Sequence, residues 1–143
     1  MTFKQKKQKL KGYKALKDLY ILLGDEISEI EMRALELASK TTVGELDKIR
    51  TCGGLTSDKV KAYLERDEIY KQKISRFNVI GKQISEIENA IYSIKDTELM
   101  GAVYSWSVLD MSLAEIAFAY RISQKTAQRY RDAGIRKIIF KNK

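Results

Sequence analysis

Proline and histidine are both missing from this 143-residue chain, and cysteine occurs once, at Cys52. Lacking proline over this length, the chain is expected to be mostly helix, because the proline ring breaks helix interiors. Lys, Glu, Leu, Ala and Ile dominate, all of them helix formers, with Ile the weakest. A single cysteine excludes an intramolecular disulfide. Without histidine a zinc site would have to be built from carboxylates, and no spacing presents one. Cys52 sits in the loop-like "TCGG", with no histidine to activate it, so it reads as incidental rather than as a nucleophile. There is no glycine-rich phosphate loop and no βαβ pattern of the kind a recombinase catalytic domain needs. Neither an enzyme, nor a cofactor, nor a bound metal is therefore expected. No apolar run approaches the roughly 18 residues that span a bilayer. The lysine-rich start lacks the apolar core of a secretory signal. No membrane partner is expected, and these points favour the cytoplasm.

What the chain has in excess is positive charge, a net of +8. It is unevenly placed. Residues 1–20 carry seven Lys against Asp18, and residues 121–143 carry eight Lys or Arg against Asp132. The middle, residues 21–120, has 12 basic and 17 acidic residues. Two basic ends around an acidic centre point to a polyanion at the ends and protein contacts between them. Solubility alone would explain the net charge but not this asymmetry.

Residues 1–11, "MTFKQKKQKLK", have little apolar content and read as a basic flexible tail or a frayed first turn. From Tyr13 a seam begins, through Leu16, Tyr20, Leu23, Ile27, Ile30, Ala34 and Leu37, in alternating steps of about three and four. Leu19, Leu22 and Leu35 widen it and predict more than one neighbour. Residues 39–58, with Gly44, Gly53 and Gly54, read as a loop. A short helix over Val43–Ile49 is possible within it, capped by Thr42 and Glu45. A second long helix should start at Ser57 or Asp58 and carry Val60, Leu64, Tyr70, Ile74, Phe77, Ile80, Ile84, Ile87, Ile91 and Ile94. The two helices can fold back as an antiparallel hairpin or pair with a second chain. A lone hairpin buries little, which favours a homodimer or higher homo-oligomer. The expected fold is all-α, a long coiled-coil-like hairpin followed by a small C-terminal domain. The expected boundaries are 1–11 for the tail, 12–95 for the hairpin that oligomerises or meets partners, and 96–143 for the last domain.

That last domain carries the chemistry. Asp96 or Thr97 can cap a helix through Trp106, with Met100, Val103, Tyr104, Leu109 and Met111 as its core. Ser112 and Glu115 have capping-box spacing, and the helix they open holds Ile116, Ala117 and Tyr120. After "RIS", Ser123 can cap another helix, carrying Ala127, Tyr130, Ile135 and Ile138. A short helix, a three-residue turn and a second helix make the helix-turn-helix plan. Ala117 and Ala127 are the small contacts of the crossing, and Ile122 is the apolar peg in the turn. Gln124, Lys125, Gln128 and Arg129 point outward near the start of the second helix, the part that meets base edges in the major groove. Gln pairs with adenine, and Arg or Lys with guanine. Arg121, Ser123, Thr126, Arg131, Arg136 and Lys137 are the phosphate-contact candidates.

The stretch "SLAEIAFAYRISQKTAQRYRDAGIRKI" resembles the fourth region of sigma-70 type factors. The whole layout looks like the sigma-region-4-like regulators of phages and prophages of Gram-positive bacteria, several of which activate late genes. The resemblance implies a non-enzymatic regulator that binds double-stranded promoter DNA in the bacterial host cytoplasm. It also allows contact with RNA polymerase. One position departs from the pattern: the glycine usual in the turn is Arg121 here. Two other readings stand beside it. A small terminase subunit that recognises phage DNA for packaging would also join such a motif to oligomerising helices, though mostly with the DNA-binding part first. A helical adaptor would use the basic end on an acidic protein.

Overall fold

The computed structural model describes residues 1–39 and 57–140. Among them the chain is helical with no strand: α1 (Phe3–Lys11), α2 (Tyr13–Ser39), α3 (Ser57–Arg66), α4 (Glu68–Tyr92), α5 (Thr97–Ser107), α6 (Leu113–Tyr120) and α7 (Gln124–Lys137). The all-α expectation holds. The short helix expected over Val43–Ile49 and the Cys52 loop lie outside the described residues. Two compact units divide the chain, one of residues 1–19 with 80–143, the other of residues 20–79.

In the second unit, α2 pairs with α4 in the order an antiparallel arrangement requires. Tyr20 stacks on Phe77 at 4.1 Å between ring centres, Glu26 pairs with Lys73, and Tyr70 donates its hydroxyl to Glu31 at 3.0 Å. Ala34 and Leu64 form a small buried cluster with Ile30 and Tyr70 against it. Gly24 leaves room for the Phe77 ring, which a Cβ there would meet at 3.4 Å. The second long helix expected from Ser57 is broken at Asp67. Its carboxylate accepts from the backbone N–H groups of Ile69 and Tyr70 at 3.0 and 3.2 Å, restarting the chain as α4. A short acid that caps competes with helix continuation, and the apolar spacing could not show that. Leu22, Leu35 and Leu37 on α2 are exposed, as are Tyr63 and Ile69. Among the described residues, the neighbours expected for the widened stripe at Leu22 and Leu35 are not present in this unit.

The first unit gathers both basic ends. Residues 1–11 are not a flexible tail. Thr2 and Gln5 cap α1 reciprocally, and Leu10 is fully buried. Ser107 Oγ donates to the Leu10 carbonyl at 2.6 Å. One buried leucine contributes about 2 kcal/mol, which adds to the capping box and the Ser107 bond in holding a helix that its own lysines disfavour. The boundary expected at 95/96 also moves, because residues 80–95 belong with the C-terminal helices. Ile87 and Ile91 are fully buried there. Asp96 caps α5 through the N–H groups of Glu98 and Leu99. Of the core expected around α5, Val103 is fully buried, Met100, Tyr104 and Met111 are half-buried, and Leu109 is exposed.

Candidate nucleic-acid interface

Ser112 and Glu115 cap α6 as the spacing predicted, the Ser112 hydroxyl accepting from Glu115 N–H at 3.2 Å and the Glu115 carboxylate from Ser112 N–H at 3.3 Å. The helix ends at Arg121, which takes the left-handed conformation with φ 55°. Ile122 N–H then reaches back to the Ala117 carbonyl at 2.9 Å. This is the closing bond of a Schellman turn, in which glycine is the usual left-handed residue. Arg121 performs the glycine's role at a strain of about 1 kcal/mol. Ser123 starts α7, its hydroxyl accepting from Thr126 N–H at 3.1 Å and meeting Thr126 Oγ1 at 2.8 Å.

Ile116, Ala117 and Ala127 form the buried centre of this arrangement, ringed by Trp106, Met111, Leu113 and Ile122. The two alanines let α6 and α7 approach, and Ile122 fills the turn, as the sequence indicated. Tyr120 ties α6 to α5: its hydroxyl donates to the Gly101 carbonyl at 3.1 Å and lies 2.9 Å from Ser105 Oγ. Gly134 brings α7 onto α5 so closely that a Cβ there would sit 2.5 Å from Val103 Cγ2.

With its inner face held this way, α7 presents Gln124, Lys125, Gln128 and Arg129 to solvent, all exposed. At about 100° per residue, Lys125, Arg129 and Arg136 fall in one row along the outer side. None of the three forms an ion pair with a described residue. Arg121, Ser123 and Lys137 are exposed too, and Thr126 is half-buried by its bond to Ser123. Arg136 is exposed on one side while its guanidinium covers the Phe3 ring at 5.0 Å.

Arg131 does not belong to this surface. It is 5% exposed, its guanidinium lies 4.9 Å from the Trp106 ring centre, and it pairs with Asp132 at 3.0 Å. Its position in the helix already showed this. Arg131 follows Ala127 by four residues and precedes Ile135 by four, so it lies in the buried stripe. The consequence is electrostatic. Asp132 is the one acidic residue of α7, and Arg131 pairs with its carboxylate, offsetting its charge beside Arg129 and Arg136.

Phe118 was not singled out from the sequence. It is 88% exposed, on the side of α6 away from Ile116. Its two-residue offset from Ile116, a rotation of roughly 200°, was the available signal. Among the described residues, no group of three or more His, Cys, Asp or Glu is placed to hold a metal ion. No described helix is long and apolar enough to cross a membrane. Comparison with protein-family models, with curated proteins and with solved structures finds no match to this chain.

Proposed function

We propose that this chain is a sequence-specific DNA-binding transcription regulator of the sigma-region-4-like kind, encoded by a phage or prophage and acting in the bacterial cytoplasm. The observation that carries the reading is the outer side of α7. A helix capped by Ser123 and pinned by Ala127, Gly134 and Ile135 holds Gln124, Lys125, Gln128 and Arg129 exposed over its first two turns. Those side chains match the donor and acceptor edges of adenine and guanine. The positive end of the α7 dipole adds to their attraction for phosphate.

Two partner assignments accompany it. The exposed Leu22, Leu35, Leu37 and Ile69 of the second unit support a homodimer or higher oligomer, in which a second copy covers them. Phe118 supports a protein contact at the promoter, with RNA polymerase as the partner the resemblance implies.

Selection of bound duplexes from a random pool tests the reading. An enriched motif, with preference at one position relaxed in Arg129→Ala at a loss of about 1–3 kcal/mol on the best site, is the expected result. Absence of any enriched motif would sink it and favour a packaging subunit or an adaptor. Light scattering separates those two, since a ring of many copies marks packaging.

A further inference from the structure

The two basic ends, about a hundred residues apart in sequence, lie in one compact unit, and α1 is anchored at the far end of α7. Phe3 lies under Arg136, the last member of the outward row of α7. Lys9 covers the Phe140 ring at 4.5 Å and pairs with Glu86 at 3.5 Å. These contacts, with the buried Leu10, fix one side of α1.

Lys4 and Lys11 are exposed and Lys7 is half-buried. At about 100° per residue the three lie within about 60° of one another, a single row about 10 Å long. None has an ion-pair partner among the described residues. Lysines three and four apart on a helix repel. Lys4 in the first turn opposes the helix dipole, and α1 has no acidic residue there to offset it. A helix docked firmly enough to hold such a row in place presents it to a partner of opposite charge. Arg136, the last member of the outward row of α7, covers Phe3, the residue before Lys4, so a polyanion met by α7 is the partner of opposite charge nearest to hand.

We propose that α1 is a second DNA-contacting element, in which Lys4, Lys7 and Lys11 bind backbone phosphates flanking the segment met by α7. This rests on the DNA-binding reading above. The contact carries no sequence preference. It lengthens the duplex the protein covers and supplies a share of the salt-sensitive affinity. Phosphates of one strand recur about every 3.4 Å along the duplex axis, so a 10 Å row spans two or three of them.

The test uses the full chain with Lys4→Gln, Lys7→Gln and Lys11→Gln combined. Binding to random and to selected duplexes is measured by fluorescence anisotropy over a salt series. Each lost phosphate contact lowers the slope of log affinity against log salt by about 0.9. The expected result is a slope lower by about 2 to 3, with affinity at low salt reduced at least tenfold on both duplexes alike. The thermal midpoint should change little, because the repulsion removed offsets the packing lost from the half-buried stem of Lys7. If the wild-type chain binds duplex and the variant keeps its slope, the α1 contact is wrong while the α7 reading stands. If the wild-type chain binds no duplex at all, both fall together. A lower slope accompanied by altered base preference would also overturn the proposal, since phosphate contacts do not change preference.

Discussion

The Arg131 guanidinium lies between the Trp106 ring, 4.9 Å from its centre, and the Asp132 carboxylate, 3.0 Å away. One buried cation thus joins α7 to α5 and offsets the charge of the one acidic residue of α7. Arg131→Ala loses the stacking and the packing of the side-chain stem, and frees Asp132. Removing one partner of a buried pair is costly, and a loss of about 2–4 kcal/mol is expected in urea unfolding. Arg129→Ala, on the exposed side, should stay within about 0.5 kcal/mol of wild type. Equal effects of the two would contradict the placement of Arg131.

Arg121 stands in the left-handed region at φ 55°. Arg121→Gly relieves strain of about 1 kcal/mol, partly offset by the greater freedom glycine has when unfolded. A net gain of about 0.5 kcal/mol is expected, and Arg121→Val should lose more than that because a β-branched residue tolerates this conformation poorly. If Arg121 also meets a phosphate, the glycine variant will be more stable and bind DNA less tightly. Destabilisation by glycine would show that the arginine side chain, not the turn, holds this position.

These two arginines show where the sequence was legible. Caps were readable because Ser112, Glu115, Ser123 and Asp96 act on backbone within three residues of themselves. The Ala117 and Ala127 contacts followed from spacing within one turn of each helix. Arg131 was misassigned because residue type was weighed above helix phase, and the phase was correct. Gly134 gave no local sign of its role; only the approach of α5 makes it necessary. The docking of α1 was invisible for a similar reason. Its buried face depends on one leucine and on partners about a hundred residues away, so composition pointed to a solvated tail. Asp67 breaks the second long helix through a side-chain cap that apolar periodicity does not record.

Tyr13 donates its hydroxyl to Glu88. Burial, and then the adjacent carboxylate, push its phenol well above its ordinary range. A phenol whose folded pKa is raised contributes stability in full below its unfolded value of about 10, and loses it as pH climbs beyond that. The wild-type chain should therefore lose stability above about pH 10 faster than Tyr13→Phe. At neutral pH the variant should be less stable by about 1.5–3 kcal/mol, having lost one hydrogen bond to a charged group. Parallel alkaline limbs in chemical denaturation would show that Tyr13 ionises as freely folded as unfolded.

Phe118, 88% exposed on α6, is not among the outward side chains of α7. Phe118→Ala should leave stability and duplex affinity unchanged, the former within about 0.5 kcal/mol. If a protein partner covers the ring, transcription from a cognate promoter should drop several-fold while promoter occupancy in footprinting does not. A variant that loses occupancy and transcription together would place Phe118 at the DNA instead.

A fragment of residues 96–143 keeps α5, α6 and α7 and every base-contact candidate, and would be the natural choice for a minimal DNA-binding domain. The structure argues against it. Leu10, Ile87 and Ile91 are fully buried in the same unit as these helices, and all three lie outside the fragment. Each contributes about 1.5–3 kcal/mol of burial. Together they rival the roughly 5–15 kcal/mol by which a small domain is stable. The fragment also loses Phe3 from beneath Arg136 and the carbonyl that Ser107 bonds. It should therefore show no cooperative thermal transition and should bind DNA poorly for want of a fold, with its contact residues intact. Leu10→Ala in the full chain separates the two causes. It should cost about 2–5 kcal/mol of stability and, at temperatures where the variant is folded, keep its base preference, with any loss of affinity shared by all duplexes alike as α1 loosens. A fragment melting cooperatively within a few degrees of the full chain would show that α5 to α7 stand alone, and that α1 is docked on a domain that does not need it.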